Sequence, residues 1–279
     1  MATYSPAENL GLHGRFAVQC AAGPDGPTVL RRREISAPFH LSKPYWTGEV
    51  LVVQAVNATA GIFAGDRLAL DIEVEAGARV LLTSPSASRI HTMPAGRAEL
   101  QQHLRVAAGG WLEILPELFI PQTGCRYRQD TRIEVEPGGA LFFVETLAPG
   151  RVARGEFFAF AEVAWSLDVR RGEHLLLRER YTLRGGDDPS TWSLRHPFPG
   201  GYYASCCVVS DAVDLAEIRP TLERLCSPAL TLGCSRFDEH GWLIKLLAAD
   251  SATLREALLG VRRALSGTFP YLNADARKL

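Results

Sequence analysis

From Arg67 to Val74 apolar and polar residues alternate without a break. Leu68, Leu70, Ile72 and Val74 fall on one side of an extended chain, with Arg67, Ala69, Asp71 and Glu73 on the other. This is the pattern of a strand with one buried face. A turn on Ala76-Gly77 follows, then an apolar run that ends in Thr83-Ser84. The same succession recurs three more times: Ile72–Leu82 (IEVEAGARVLL) is followed by Leu104–Ile114, Ile133–Phe143 and Leu167–Leu177. The shared glycines, Gly77, Gly109, Gly138 and Gly172, lie 32, 29 and 34 residues apart. A glycine at that point supplies the positive φ that a tight turn requires. Four copies at a near-constant period predict a mainly β fold. Its stacked hairpins or layered sheets, solenoid- or sandwich-like, would bury one continuous core.

The strand entering the fourth copy is expected to be long. Phe157, Ala159, Ala161, Val163, Trp165, Leu167 and Val169 would share one face, with Phe158 and Phe160 on the other. Arg184-Gly-Gly-Asp-Asp-Pro189 then reads as a linker. It separates a β-rich core at residues 1–184 from a C-terminal α+β segment at 190–279, packed on that core in one continuous domain. About two helices are predicted there. Leu215, Ile218, Leu222 and Leu225 have helical spacing, and Pro220 limits how far upstream that helix starts. Residues 229–237 and 242–247 read as a hairpin. The last helix carries the stripe Leu254, Ala257, Leu258, Val261 and Leu265, a capping box at Thr253 and Glu256, and a stop at Gly267 and Pro270. The tail Tyr271–Leu279 is expected to be loosely held, or ordered only by a partner.

Composition narrows the function classes. The net charge of −1 supplies no field that favours nucleic acid or an anionic membrane. Arg31-Arg32-Arg33 reads as a solvated strand edge or turn. No apolar run approaches the roughly 18 residues of a bilayer span. The start, MATYSPAENLGLHG, lacks the basic and apolar regions of a secretory signal. A cytoplasmic protein with reduced cysteines is therefore expected. Cys20, Cys125, Cys206, Cys207, Cys226 and Cys234 contain no C-x-x-C pair and read as small core residues, with Cys206 and Cys207 on opposite faces of a strand.

Catalytic signatures are missing: there is no Walker loop, G-x-S-x-G, H-E-x-x-H or dinucleotide fingerprint. The histidines at 13, 40, 91, 103, 174, 196 and 240 show no ligand spacing, although His91 and His103 would approach if their strands paired. What stands out is polar residues set beside apolar strands: Asp66, Thr83-Ser84, Glu113, Glu117, Glu145 and Glu179. Carboxylates pointing inward must be paired, hydrated or bound to a cation. An acid–base pair of Asp66 with Glu117 or Glu145, as in a hydrolase or isomerase, is one reading of such a set. A plain interaction module without metal is another.

Four segments then fall into a known order. Thr59-Ala-Gly-Ile-Phe-Ala-Gly-Asp-Arg-Leu68 is followed by Gly77-Ala-Arg-Val-Leu-Leu-Thr-Ser84. Leu112-Glu-Ile-Leu-Pro-Glu117 with Ile120-Pro121, and Gly150-Arg-Val-Ala-Arg-Gly-Glu156, complete the series. In this order the chain resembles the UreD/UreH family of urease accessory proteins. The resemblance implies a non-enzymatic metallocentre chaperone of mostly β fold. It further implies that the chain binds accessory proteins of the UreF and UreG types and apo-urease, and assists nickel insertion. No tightly bound cofactor is implied, only transient nickel in an internal passage. Mapped onto this sequence, the passage candidates are Asp66, Thr83, Glu117, Glu145, Glu156 and Glu179, and Asp250–Leu279 is the candidate partner contact.

Overall fold

A computed structural model describes residues 11–24, 26–195, 200–212 and 215–276. The first ten residues, His196 and residues 277–279 lie outside the described part. The chain enters as β1 (His13–Gly23) and β2 (Gly26–Ile35), an antiparallel pair, and passes through β3 (Phe39–Leu41) and β4 (Tyr45–Thr47) to β5 (Val50–Asn57). It then coils. β6 (Arg67–Val74) leads through Gly77 to β7 (Arg79–Thr83), and β8 (Ser88–Ile90) follows. β9 (Ala98–Val106) leads through Gly109 to β10 (Trp111–Leu115), with β11 (Phe119–Pro121) after it. β12 (Arg126–Val135) leads through Gly138 to β13 (Ala140–Leu147). The closing elements are β14 (Glu162–Arg171), β15 (His174–Arg184), α1 (Trp192–Arg195), β16 (Tyr202–Val209), α2 (Leu215–Glu223), β17 (Leu230–Asp238), β18 (Gly241–Ala248) and α3 (Ser251–Leu265).

Two large sheets result. The seven-stranded sheet runs β15-β14-β12-β9-β6-β1-β2, and the nine-stranded sheet runs β17-β18-β16-β13-β10-β7-β5-β3 with β4 also on β5. The mainly β, solenoid-like layering is thus the one the glycine repeat predicts. The hairpins are not, in three of the four copies. The strands flanking Gly77, Gly109 and Gly138 lie in different sheets and pair in parallel with the equivalent strands of the next coil. Only β14 and β15, around Gly172, pair with each other. The reason is burial. β10 is buried at every position and β13 at all but its first, so neither can be half of a one-faced hairpin. The turns stack as the strands do: Gly109 N–H donates to the Gly138 carbonyl at 3.0 Å, and Gly77, Gly109 and Gly138 have φ of 71°, 71° and 83°. Asp211 caps this stack, accepting from Gly138 N–H at 2.8 Å and pairing with Arg171 and His240.

The nine-stranded sheet is apolar on both faces. Its outer face packs under α3, where Leu254, Ala257, Leu258, Val261 and Leu265 are all buried. Its inner face meets the seven-stranded sheet. Cys206 joins the outer cluster and Cys207 the inner one, as expected of adjacent strand residues. Cys20 and Cys125 are buried as well, but Cys226 is exposed and Cys234 half-buried, so the core reading fails for these two; none of the six is in a disulfide.

Four expectations need correction. The strand before the fourth turn begins at Glu162, not near Phe157. Phe158 adopts φ 49°, and both its carbonyl and its N–H are used by loop partners, so Phe158 and Phe160 enter one apolar cluster together. α2 begins five residues before Pro220 and contains it. α3 is capped three residues earlier than the Thr253 box implies: the Asp250 carboxylate accepts from Thr253 N–H at 2.7 Å. The tail is packed as far as it is described. Leu272, Ala274 and Ala276 are buried, and Trp111 packs against Phe269 and Tyr271. Arg262 fixes this arrangement by donating to Glu113 at 2.6 and 3.1 Å and to the Ala274 carbonyl at 3.0 Å.

Candidate functional site

The space between the sheets is apolar at both ends and polar in between. On β12, Ile133 belongs to one apolar cluster and Tyr127 to another, with Thr131 and Gln129 at the inward positions between them. The same interruption recurs strand by strand. Glu145 lies between Phe143 and Leu147 on β13, and Ser205 between Cys207 and Tyr203 on β16. Lys245 lies between Leu243 and Leu247 on β18, and Glu179 between Leu177 and Tyr181 on β15. Register makes these positions neighbours. Gln102 pairs with Thr131 across β9 and β12, while Glu145, Ser205 and Lys245 form a row across β13, β16 and β18. A polar layer therefore crosses the sandwich.

The layer faces a cavity of about 320 Å³. Its mouth is rimmed by the exposed Thr59 and Ser86, in the loops that follow β5 and β7, and by Ser88 and Arg89 of the short β8. Leu100, Tyr127, Phe143 and Trp165 form apolar wall, while Gln102, Gln129, Glu145 and Thr146 are its polar side. Gln129 holds the layer together: its Nε2 donates to Glu145 Oε1 at 2.8 Å and to Thr131 Oγ1 at 3.3 Å, and Gln102 Nε2 donates to the same hydroxyl at 3.2 Å. Burial pushes the Glu145 carboxyl up to about 8, and the negative charge of Glu179 pushes the same way, against the Gln129 hydrogen bond and Lys245. The Tyr181 hydroxyl and Trp165 Nε1 are buried beside this layer without a hydrogen-bond partner among the described residues.

The six residues singled out by sequence divide. Thr83, Glu117 and Glu145 line the cavity. Thr83 donates to the Leu115 carbonyl at 2.6 Å. Glu117 stands at the mouth, 3.4 Å from Arg255 of α3, and also lines a small cleft under that helix. Glu179 pairs with Lys245 at the far end of the layer. Asp66 and Glu156 are elsewhere. Both Asp66 oxygens accept backbone N–H groups, from Leu12 and Phe63 at 2.8 Å each, which locks the glycine-rich turn. Glu156 is held by Arg151, whose hydrogen bonds keep its carboxyl below the usual range. The His91–His103 approach does not occur: β8 pairs with β11 and β9 with β6 and β12, His91 stacks on Phe63, and His103 turns toward Asp71. Among the described residues no three His, Cys, Asp or Glu side chains converge on one point, and no helix is long and apolar enough to cross a membrane.

Gln102, Gln129, Thr131 and Lys245 were not singled out by the sequence pattern. Their signal was present. Each occupies an inward position of an otherwise apolar stripe.

Comparison with known proteins identifies the family. The family described as UreD urease accessory protein matches residues 12–277. A urease accessory protein UreD of Opitutus terrae is 40% identical over 268 residues, covering 95% of this chain and 98% of the relative. UreD of Deinococcus radiodurans is 34% identical over 91% of this chain and 84% of its own length. UreD of Acetivibrio thermocellus is 27% identical over 86% and 93%. Carrying the family's match over nearly its whole length, the chain belongs to the UreD family of urease accessory proteins.

Proposed function

We propose that this chain is a non-catalytic scaffold that assists nickel insertion into apo-urease, working in the cytoplasm with accessory proteins of the UreF and UreG types. The ion is its cargo, and it passes through the polar layer between the sheets. One observation carries the reading: a buried carboxylate, Glu145, sits in a polar layer that starts at a cavity with a solvent-facing rim and reaches the opposite edge of the sandwich. Such a carboxyl costs free energy to bury even with Gln129 donating to it, and burial raises its pKa in spite of that hydrogen bond. Carboxylate, amide and hydroxyl oxygens suit transit. They hold a partly hydrated divalent ion weakly, where a cysteine or histidine cage would trap it. The acid–base alternative is disfavoured by Asp66, whose oxygens are both taken by the backbone away from the cavity.

The test is the nickel content and activity of urease co-expressed with its accessory proteins, with this chain, without it, and with the Glu145→Leu and Gln129→Leu variants. Both quantities are expected to depend on the chain and to fall in the variants while the complexes with UreF-type and UreG-type partners persist. Full activation by the variants would remove the passage from this reading. Activation without the chain would remove the role itself.

A further inference from the structure

The edge end of the polar layer is closed by one ion pair. Lys245 is the third member of the cross-strand row Glu145–Ser205–Lys245 and points into the interlayer space. There it meets Glu179, which comes from the facing sheet. The Lys245 side chain is 45% exposed and that of Glu179 is 19% exposed, so the pair lies where the layer reaches solvent. Beyond Lys245 on β17 its register partner is Gly233, and a Cβ built there would meet nothing within 4 Å. The ammonium therefore has room to swing outward. Two positions from Glu179 on the same face, the buried Tyr181 hydroxyl has no hydrogen-bond partner among the described residues, and it shares its surroundings with both Glu145 and Glu179.

We propose that Lys245 is a tethered counter-ion: a divalent cation arriving from the cavity displaces it from Glu179 and, as the Glu145 carboxyl gives up its proton to the water that accompanies the ion, is held between Glu145 and Glu179 before it leaves. The proposal rests on the transit reading above. An ammonium suits the part because it is a compact point charge on a flexible stem and offers no ligand atom. An arginine fork would grip the carboxylate in two places and would not yield. Both cations compete for one carboxylate, so removing the lysine unmasks the site. Tyr181 supplies a neutral oxygen that the ion pair leaves unused.

Equilibrium dialysis of the full chain against nickel chloride tests this, with melting curves to establish that each variant is folded. Lys245→Met is expected to bind nickel about tenfold more tightly than the wild type, since a positive charge beside the site is lost. The gain is expected to vanish in Lys245→Met/Glu179→Gln. Lys245→Gln, which also removes the charge, is expected to show the same gain and covers the case in which the methionine variant fails to fold, while Lys245→Arg, which keeps both charge and pair, should bind no better than wild type. An unchanged affinity in Lys245→Met, a gain that survives Glu179→Gln, or tighter binding by Lys245→Arg would each overturn the proposal. The transit reading fails separately, if Glu145→Gln and Glu179→Gln chains activate urease as the wild type does.

Discussion

Replacing Glu145 with glutamine should make the protein more stable, and by an amount that grows with pH. The carboxyl is buried, accepts from Gln129 at 2.8 Å, and has its pKa pushed from 4.5 to about 8 by burial and by the charge of Glu179. Below pH 4.5 it is protonated in both folded and unfolded chains and the residue exerts no pH-dependent effect. Between pH 4.5 and 8 the unfolded chain releases the proton and the folded one retains it. Folding stability then falls by about 1.4 kcal/mol per pH unit. Above pH 8 both states are ionised and the loss levels off near 5 kcal/mol, a ceiling set by the roughly 3.5 pH units between the two values. Against a total stability of about 5–15 kcal/mol this is a large fraction. Glutamine keeps the oxygen that Gln129 donates to and removes the titration. Urea unfolding of both proteins at half-unit steps from pH 5 to 8.5 isolates the residue, because the other titrating groups are common to the pair. The variant should match the wild type near pH 5 and exceed it by several kcal/mol at pH 8.5. A stability difference that stays flat within about 1 kcal/mol across that range would refute the reasoning, since a buried carboxyl cannot ionise without a pH-dependent cost.

Arg262→Met removes the guanidinium from the fully buried Glu113 carboxylate and should cost about 3–5 kcal/mol in chemical unfolding, with most of it recovered in Glu113→Leu/Arg262→Met. Asp211→Ala removes the acceptor of the Gly138 amide and the partner of Arg171; hydrogen exchange at Gly138 should accelerate, and stability should fall by about 1–3 kcal/mol. Asp250→Ala deletes the cap of α3 and should cost about 1 kcal/mol, seen as a lower melting temperature with an unchanged fold.

Much of the fold was legible because it is written locally. The alternation of Arg67–Val74, the stripe of α3 and the β17–β18 hairpin each occupy one short window. The change of sheet at Gly77, Gly109 and Gly138 also left a trace. In those copies the second strand is almost continuously apolar, as in RVLLT and ALFFV, whereas the fourth copy continues into the alternating RERYTLR and does form a hairpin. What local pattern cannot supply is which distant strands pair. Glu145 and Lys245 are a hundred residues apart and share a layer only because β16 lies between β13 and β18. Asp66 and Glu156 misled for the opposite reason: a carboxylate beside a glycine turn serves the turn's own amides or a nearby arginine as readily as a distant site.

The coiled connectivity also sets the order in which the interior becomes sealed. As the chain leaves the ribosome, β6, β9 and β12 can stack one on the next, each new coil covering its predecessor. Thr131, Gln129 and Glu145 precede the strands that complete their layer. Glu179, Ser205 and Lys245 arrive on β15, β16 and β18, and α3 arrives later still. Until they dock, Glu145 faces water and ionises as an ordinary carboxylate. Its unusual environment is completed by the strands that follow β14, and a product truncated before Gly241 would lack both Lys245 and the helix that covers the outer wall.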